Sequence, residues 1–292
     1  VAEAVEAARN ADVAVMVMGD KAGITDGCTS GEACDRADLD LPGVQADLVR
    51  AVYETGTPVV LVLMTGRPVT LRWMAEEVPA ILETWFPAEE GANAIADVLF
   101  GDVNPGGKLP ITFPQAVGQV PIFYGHRPSG GRSQWKEKYV ETSNLPLYPF
   151  GYGLSYTTFA YDNLRISSAQ ASAGQTVRVQ VDVRNSGQRA GDEVVQLYTR
   201  TVKASVTRPV KELRGFKRVT LEPGESKTVT FELPVNLLAH LDINMDFVVE
   251  PGPINVMVGG SSQDIRLSGE FEITGAVTPV SEKVFACPVT VS

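Results

Sequence analysis

Apolar positions in the first hundred residues fall into two alternating patterns. Val13 to Met18 and Val59 to Leu63 are nearly unbroken apolar runs. Runs this short and this continuous read as strands covered on both faces, as in a parallel sheet. Between them, Val44, Leu48, Ala51 and Val52 share one helical face that opens at Pro42-Gly43 and stops at Gly56. Gly66-Arg67-Pro68 is a turn, Val69 to Glu77 a short helix, and Ala80 to Phe86 a third strand. Ala92, Ile95, Ala96 and Leu99 then recur at helical spacing. This βαβαβα order requires parallel strands with helices packed on the faces.

After Gly101 the periodicity fades. Prolines and glycines run through Lys108 to Tyr148, which reads as one long surface loop, and loops of that length tend to be functional. Beyond the glycine–aromatic hinge Pro149 to Tyr156 the pattern changes to period two. Val177, Val179, Val181 and Val183 alternate with Arg178, Gln180, Asp182 and Arg184, as in a strand with one buried face. Asn185-Ser186-Gly187 makes a turn. Further strands fit Val194 to Thr199, Glu212 to Val219, Lys227 to Leu233, Ile254 to Val258 and Ile265 to Ile273. Pro223-Gly224 and Pro251-Gly252 punctuate them, a spacing that fits an immunoglobulin-like β-sandwich. The fold class is therefore a mostly parallel α/β sandwich over residues 1–158, followed by an all-β sandwich over 159–292.

Composition narrows the chemistry. The chain has 292 residues, 44% of them apolar and 21% charged, enough for two ordinary cores. A net charge of −10 disfavours nucleic acid and anionic membranes as partners. No apolar run is long enough to span a bilayer. Val1 opens directly on an amphipathic helical pattern with no start signal before it, as in a chain cut from a longer one. Three cysteines are too few for a disulfide framework. Cys28 and Cys34 are close enough to bridge or to stay free thiols, and the sequence leaves both open. With only His126 and His240 in the chain, neither a metal site nor a cofactor is expected.

Candidate chemistry concentrates in Gly23 to Pro42, which leaves the carboxyl end of the first strand, where ligands of open α/β sheets bind. It carries Asp26, Glu32, Asp35, Asp38 and Asp40 with Arg36 among them. By itself such a cluster reads first as a solvated acidic surface. Gly31-Glu32-Ala33-Cys34-Asp35-Arg36, followed by Leu39-Asp40-Leu41-Pro42-Gly43, resembles the segment of glycoside hydrolase family 3 that holds the general acid/base glutamate. Ile81 to Pro87, Glu90 to Pro110 and Tyr148 to Phe159 resemble further runs specific to that family. Arg208 to Phe216 and Leu221 to Glu225 are similar to its fibronectin type III-like domain. The wording is nearest the periplasmic β-glucosidase branch of bacteria.

The resemblance implies a retaining β-glucosidase acting on terminal β-glucosyl residues of a β-glucoside or oligosaccharide. Glu32 would be the acid/base, and the nucleophilic aspartate would lie on an N-terminal barrel absent from this chain. The isolated chain is accordingly expected to be inactive or nearly so. Arg36, His126 and Arg132 are expected to touch substrate, the last two in a loop resembling a segment near the sugar subsites. Asp35 and Arg36 are expected to fix the loop as an ion pair, and Glu89 and Glu90 to favour a helix N-terminus. Trp85 reads as core and Trp135 as a stacking candidate. Arg208, Lys211 and Arg214 read as a packing cluster. Two alternatives remain: a β-xylosidase of the same family, and a non-catalytic pair of sugar- or partner-binding modules. A periplasmic or secreted location is implied, and self-association as a homodimer is left open.

Overall fold

The computed structural model describes residues 1–24, 26–128 and 139–292. By its contacts the chain divides into two compact units. The first holds Val1–Val103, Thr112–Ile122 and the described residues up to Tyr148. The second holds Asn104–Ile111, the described residues from Phe123, and Pro149–Ser292.

The first unit runs α1 (Ala2–Arg9), β1 (Ala14–Gly19), α2 (Gln45–Tyr53), β2 (Val59–Met64), α3 (Arg72–Glu77), β3 (Ala80–Glu83) and α4 (Gly91–Phe100). The three strands are parallel in the order β1-β2-β3. The apolar run of β2 is central, and Val59, Leu61, Val62 and Leu63 are fully buried. The same expectation fails for β1. It is an edge strand, and Val15 and Val17 are 53% and 54% exposed. An unbroken apolar run does not say whether a second face is covered; only packing does. Strand β3 is also shorter than its apolar run, because Trp85 turns the chain with φ 55°.

Two devices hold the ends of the loop that follows β1. Gln45, the first residue of α2, accepts from Gly19 N at 2.7 Å and donates to Gly19 O at 2.9 Å. Gly19 itself has no room for a side chain, since a Cβ would lie 2.0 Å from Met64 O. The described part of the Lys108–Tyr148 stretch has one 3-10 turn, Val117–Gln119, and is otherwise irregular, yet not all of it is surface. Phe113 is buried and packs on Trp85 and Tyr148, with ring centroids 5.9 and 6.2 Å away.

The second unit is a β-sandwich. Its strands are β4 (Phe159–Ile166), β5 (Gln170–Ala171), β6 (Thr176–Asn185), β7 (Gly191–Thr201), β8 (Glu212–Leu221), β9 (Ser226–Pro234), β10 (His240–Leu241), β11 (Phe247–Val249), β12 (Gly252–Gly259), β13 (Ile265–Ile273), β14 (Thr278–Pro279) and β15 (Val289–Val291). One sheet has the order β5-β13-β12-β7-β8 and the other β15-β9-β6-β4, with β10, β11 and β14 forming a small third sheet. The alternating valines of β6 share one core with Phe231, Val256 and Phe271. Burying alternate residues of facing sheets is what period-two patterning provides. Asn185, expected only as a turn residue, is fully buried and ends β6. Its amide donates to Arg189 O and Leu221 O at 2.7 and 2.9 Å, and accepts from Thr157 Oγ1 and Gly187 N at 2.8 and 3.0 Å.

Candidate active site

The loop between β1 and α2 lies at the carboxyl end of the parallel sheet, and Glu32 sits at the tip of a tight turn within it. Cys34 N donates to Gly31 O at 3.3 Å, and Ala33 takes the left-handed φ of 55°. A four-residue turn with positive φ at its third position ordinarily takes glycine there. Gly31 has no such freedom to change, because a Cβ would lie 2.1 Å from Gly23 O. Both Glu32 and Ala33 are exposed. Among the described residues the Glu32 carboxylate makes no hydrogen bond or ion pair. Cys28 and Cys34 form a disulfide across the turn, with Cα atoms 6.2 Å apart. The question left open by the sequence is thus decided: the loop is covalently closed.

The ion pairs run differently from the expected Asp35–Arg36 pair. Asp35 accepts from the backbone N of Arg36 at 2.8 Å, but its charge pairs with Arg67. Arg36 instead binds Asp38 Oδ1 and Asp40 O, each at 2.6 Å. Adjacent residues in an irregular loop point apart, so sequence neighbours are poor guides to partners.

Arg67, which the sequence suggested only as part of a turn, is the centre of the network. It is nearly buried, and its guanidinium donates to Thr29 O and Arg36 O while pairing with Asp35. Its Nε lies 3.9 Å from Asp20 Oδ2. Asp20 has a side chain 1% exposed; it accepts from Thr29 Oγ1 at 2.8 Å and Gly66 N at 3.2 Å. Glu83, at the end of β3, is a further acidic group on this edge. Burial pushes its carboxyl up to about 7, opposed by hydrogen bonds from Trp85 N at 2.9 Å and Thr65 Oγ1 at 3.1 Å and reinforced by the charge of Asp20. Its Oε2 is buried with no partner among the described residues. Asp20, Arg67 and Glu83 share one signal that sequence reading could have used: each ends, or closely follows, a predicted parallel strand.

The other candidates lie elsewhere. His126 belongs to the second unit, where its Nδ1 is 2.8 Å from Arg127 O and its carbonyl accepts from Val210 N at 2.9 Å. Arg132 and Trp135 lie outside the described residues. Trp85 is half-buried against Phe113. Glu90 precedes α4 and accepts from Asn93 Nδ2 at 2.7 Å. Arg208 and Arg214 both pair with Glu212, at 3.0 and 2.9 Å, and Lys211 donates to Ser262 O, so this basic cluster is tied within the second unit. Among the described residues no group of three or more His, Cys, Asp or Glu could hold a metal, and no helix is long and apolar enough to cross a membrane.

With this geometry in view, the comparisons are specific. The profile of the Glycosyl hydrolase family 3 C-terminal domain matches residues 1–156, and that of the Fibronectin type III-like domain matches residues 193–262. The chain belongs to glycoside hydrolase family 3. It is 46% identical over 277 residues to a periplasmic beta-glucosidase of Salmonella typhimurium, covering 93% of this chain and 35% of that protein. It is 49% identical over 261 residues to a beta-xylosidase of Formosa agariphila, covering 89% of this chain and 35% of that protein. Its structure resembles a β-glucosidase from Erythrobacter marinus with TM-score 0.84 at 43% identity, over 94% of this chain and 36% of that one. A β-glucosidase from Listeria innocua in complex with isofagomine gives TM-score 0.85 at 39% identity, over 94% of this chain and 38% of that one. The family 3 chain thus spans about a third of the length of the relatives it matches, and its α/β and β-sandwich units correspond to their C-terminal architecture.

Proposed function

We propose that this chain is the C-terminal part of a retaining family 3 β-glucosidase and supplies its general acid/base, Glu32. The observation that carries the reading is the exposed Glu32 carboxylate on a turn closed by Cys28–Cys34 at the carboxyl edge of the sheet. Retaining hydrolysis needs two carboxyl groups roughly 5 Å apart, one a nucleophile and one an acid/base. In the first step the Glu32 carboxylic acid gives its proton to the departing glycosidic oxygen as a nucleophilic carboxylate from outside this chain bonds the anomeric carbon. In the second, the Glu32 carboxylate takes a proton from water as the water oxygen bonds the anomeric carbon and the nucleophilic carboxylate leaves, which releases the sugar. This chain without the nucleophile therefore turns over little or no substrate.

Arg36, His126 and Arg132 remain candidate sugar contacts in this reading. A location outside the cytoplasm is supported by the disulfide, which persists in oxidising compartments, and by the periplasmic relative. Substrate enters as a β-glucoside or oligosaccharide. The beta-xylosidase relative favours xylose as the second reading for the sugar.

The test uses the full-length protein carrying this chain, as wild type and Glu32→Gln, on aryl β-glucosides and aryl β-xylosides with and without azide. General acid–base groups contribute about 100- to 10,000-fold, so Glu32→Gln is expected to lose activity on that scale. Azide needs no general base, so it is expected to restore turnover and yield a β-glycosyl azide. Wild-type activity in Glu32→Gln refutes the assignment.

A further inference from the structure

What holds the Glu32 turn steady, when its carboxylate has no partner among the described residues? Backbone hydrogen bonds close the turn itself, and the disulfide closes the ring from Cys28 to Cys34. Neither connects that ring to the sheet. The link to the end of β1 combines backbone bonds to Lys21 O from Thr29 N and, at 3.4 Å, from Ser30 N with the side chains of Thr29 and Arg67. Thr29 N donates to Lys21 O at 2.9 Å, and Thr29 Oγ1 accepts from Lys21 N at 2.9 Å while donating to buried Asp20 at 2.8 Å. Arg67, on the turn that leaves β2, then reaches both flanks of the ring. It donates to Thr29 O before the Glu32 turn and to Arg36 O after it, and it pairs with the Asp35 carboxylate.

We infer that Arg67 is a positioning residue for Glu32, fixing the turn against the end of β2 so that the acid/base carboxyl meets the glycosidic oxygen. This rests on the reading of Glu32 given above. Three features of the site support it. The guanidinium has a planar fork of donors that can hold two separate carbonyls and a carboxylate at once, which a lysine ammonium on its flexible stem does not reproduce. Its position is itself anchored, because Thr65 Oγ1 donates to Arg67 O at 2.9 Å and Gly66 N to Asp20 Oδ2 at 3.2 Å. Gly66 permits the close approach: a Cβ there would lie 2.2 Å from Ser30 Oγ and 2.7 Å from a Phe86 ring carbon. The β2 turn, the buried Asp20 and the Glu32 ring therefore form one connected frame. A catalytic group displaced by about 1 Å can lose about 100-fold in rate.

The experiment compares wild type, Arg67→Lys, Glu32→Gln and the double variant in the full-length protein, using a series of aryl β-glucosides of increasing leaving-group pKa. If Arg67 acts through Glu32, kcat/KM of Arg67→Lys falls about 10- to 100-fold for poor leaving groups and far less for dinitrophenyl glucoside. Azide raises kcat on the dinitrophenyl substrate, KM on poor substrates stays near wild type, and the double variant loses little beyond Glu32→Gln. A uniform loss across leaving groups without azide rescue, or fully additive losses in the double variant, overturns the role of Arg67. The Glu32 reading survives that result if Glu32→Gln still shows azide rescue. Wild-type activity in Glu32→Gln overturns both. Should Arg67→Lys fail to fold, Asp35→Asn removes one of its partners at an exposed position and is expected to show the same leaving-group trend in weaker form. The absence of that trend in a folded Asp35→Asn protein counts against the inference.

Discussion

Replacing Glu83 by glutamine removes an ionisation that the fold makes costly. Burial raises this carboxyl from 4.5 to about 7, and one of its oxygens has no partner among the described residues. The folded pKa lies above the unfolded one, so the group's contribution to stability is complete below about pH 4.5 and lost as pH rises through about 7. A pKa difference of one between the folded and unfolded chains corresponds to about 1.36 kcal/mol. Ionised Glu83 therefore costs the wild type about 3 kcal/mol at pH 8 and only about 1 kcal/mol at pH 5. Glutamine keeps an oxygen for Trp85 N and Thr65 Oγ1 and carries no charge. Its amide nitrogen replaces the unpartnered Oε2 and adds a penalty of about 1–3 kcal/mol that does not vary with pH. The signature is therefore a slope. Relative to wild type, Glu83→Gln is expected to gain about 2 kcal/mol between pH 5 and pH 8, whatever its absolute offset. Urea unfolding followed by tryptophan fluorescence, with Trp73 and Trp85 reporting the first unit, measures it at each pH. A difference between the two proteins that stays constant from pH 5 to pH 8 refutes the reasoning.

Two further outcomes probe separate parts of the chain. Reducing Cys28–Cys34, or replacing both by serine, opens a small ring whose closure is worth about 2 kcal/mol in the chain-entropy view. Amide hydrogen exchange of residues 28–36 is expected to accelerate while that of β2 is unchanged, and equal protection before and after reduction contradicts the brace. Asn185→Ala removes the buried amide that donates to Leu221 O and Arg189 O and accepts from Thr157 Oγ1, so it is expected to cost about 3 kcal/mol. The denaturant midpoint of the sandwich reads this, and a loss below about 1 kcal/mol contradicts it.

Much of this molecule was legible in its residues. The unbroken run of β2 and the alternating valines of β6 each match the element formed, because burial on two faces or on one leaves a distinct period. The spacing of α4 matches a helix as well, but Ala92 is exposed and Ile95, Ala96 and Leu99 are only half-buried. The acidic loop and its family likeness pointed to Glu32, which lies on an exposed turn at the expected edge of the sheet. Assignments that depended on a partner distant in sequence were less secure. The exposed face of β1, the early end of β3 at Trp85, and the burial of Phe113 inside an irregular stretch all follow from what packs beside them. Short strands such as β10 and β14 carry too few residues to show a period.

The site divides along the same line. Sequence alone determined which carboxylate stands in a family-like context and that two cysteines flank it, since both are properties of neighbouring residues. Only the tertiary structure decided that the cysteines are bridged, that Asp35 pairs with Arg67 rather than Arg36, and that Asp20 and Glu83, both partly buried, lie near enough for one charge to act on the other. Parallel strands bring their carboxyl ends together across dozens of intervening residues. Local pattern sets where each strand runs, but the charges meeting at those ends, and the cost of burying them, are set by the sheet.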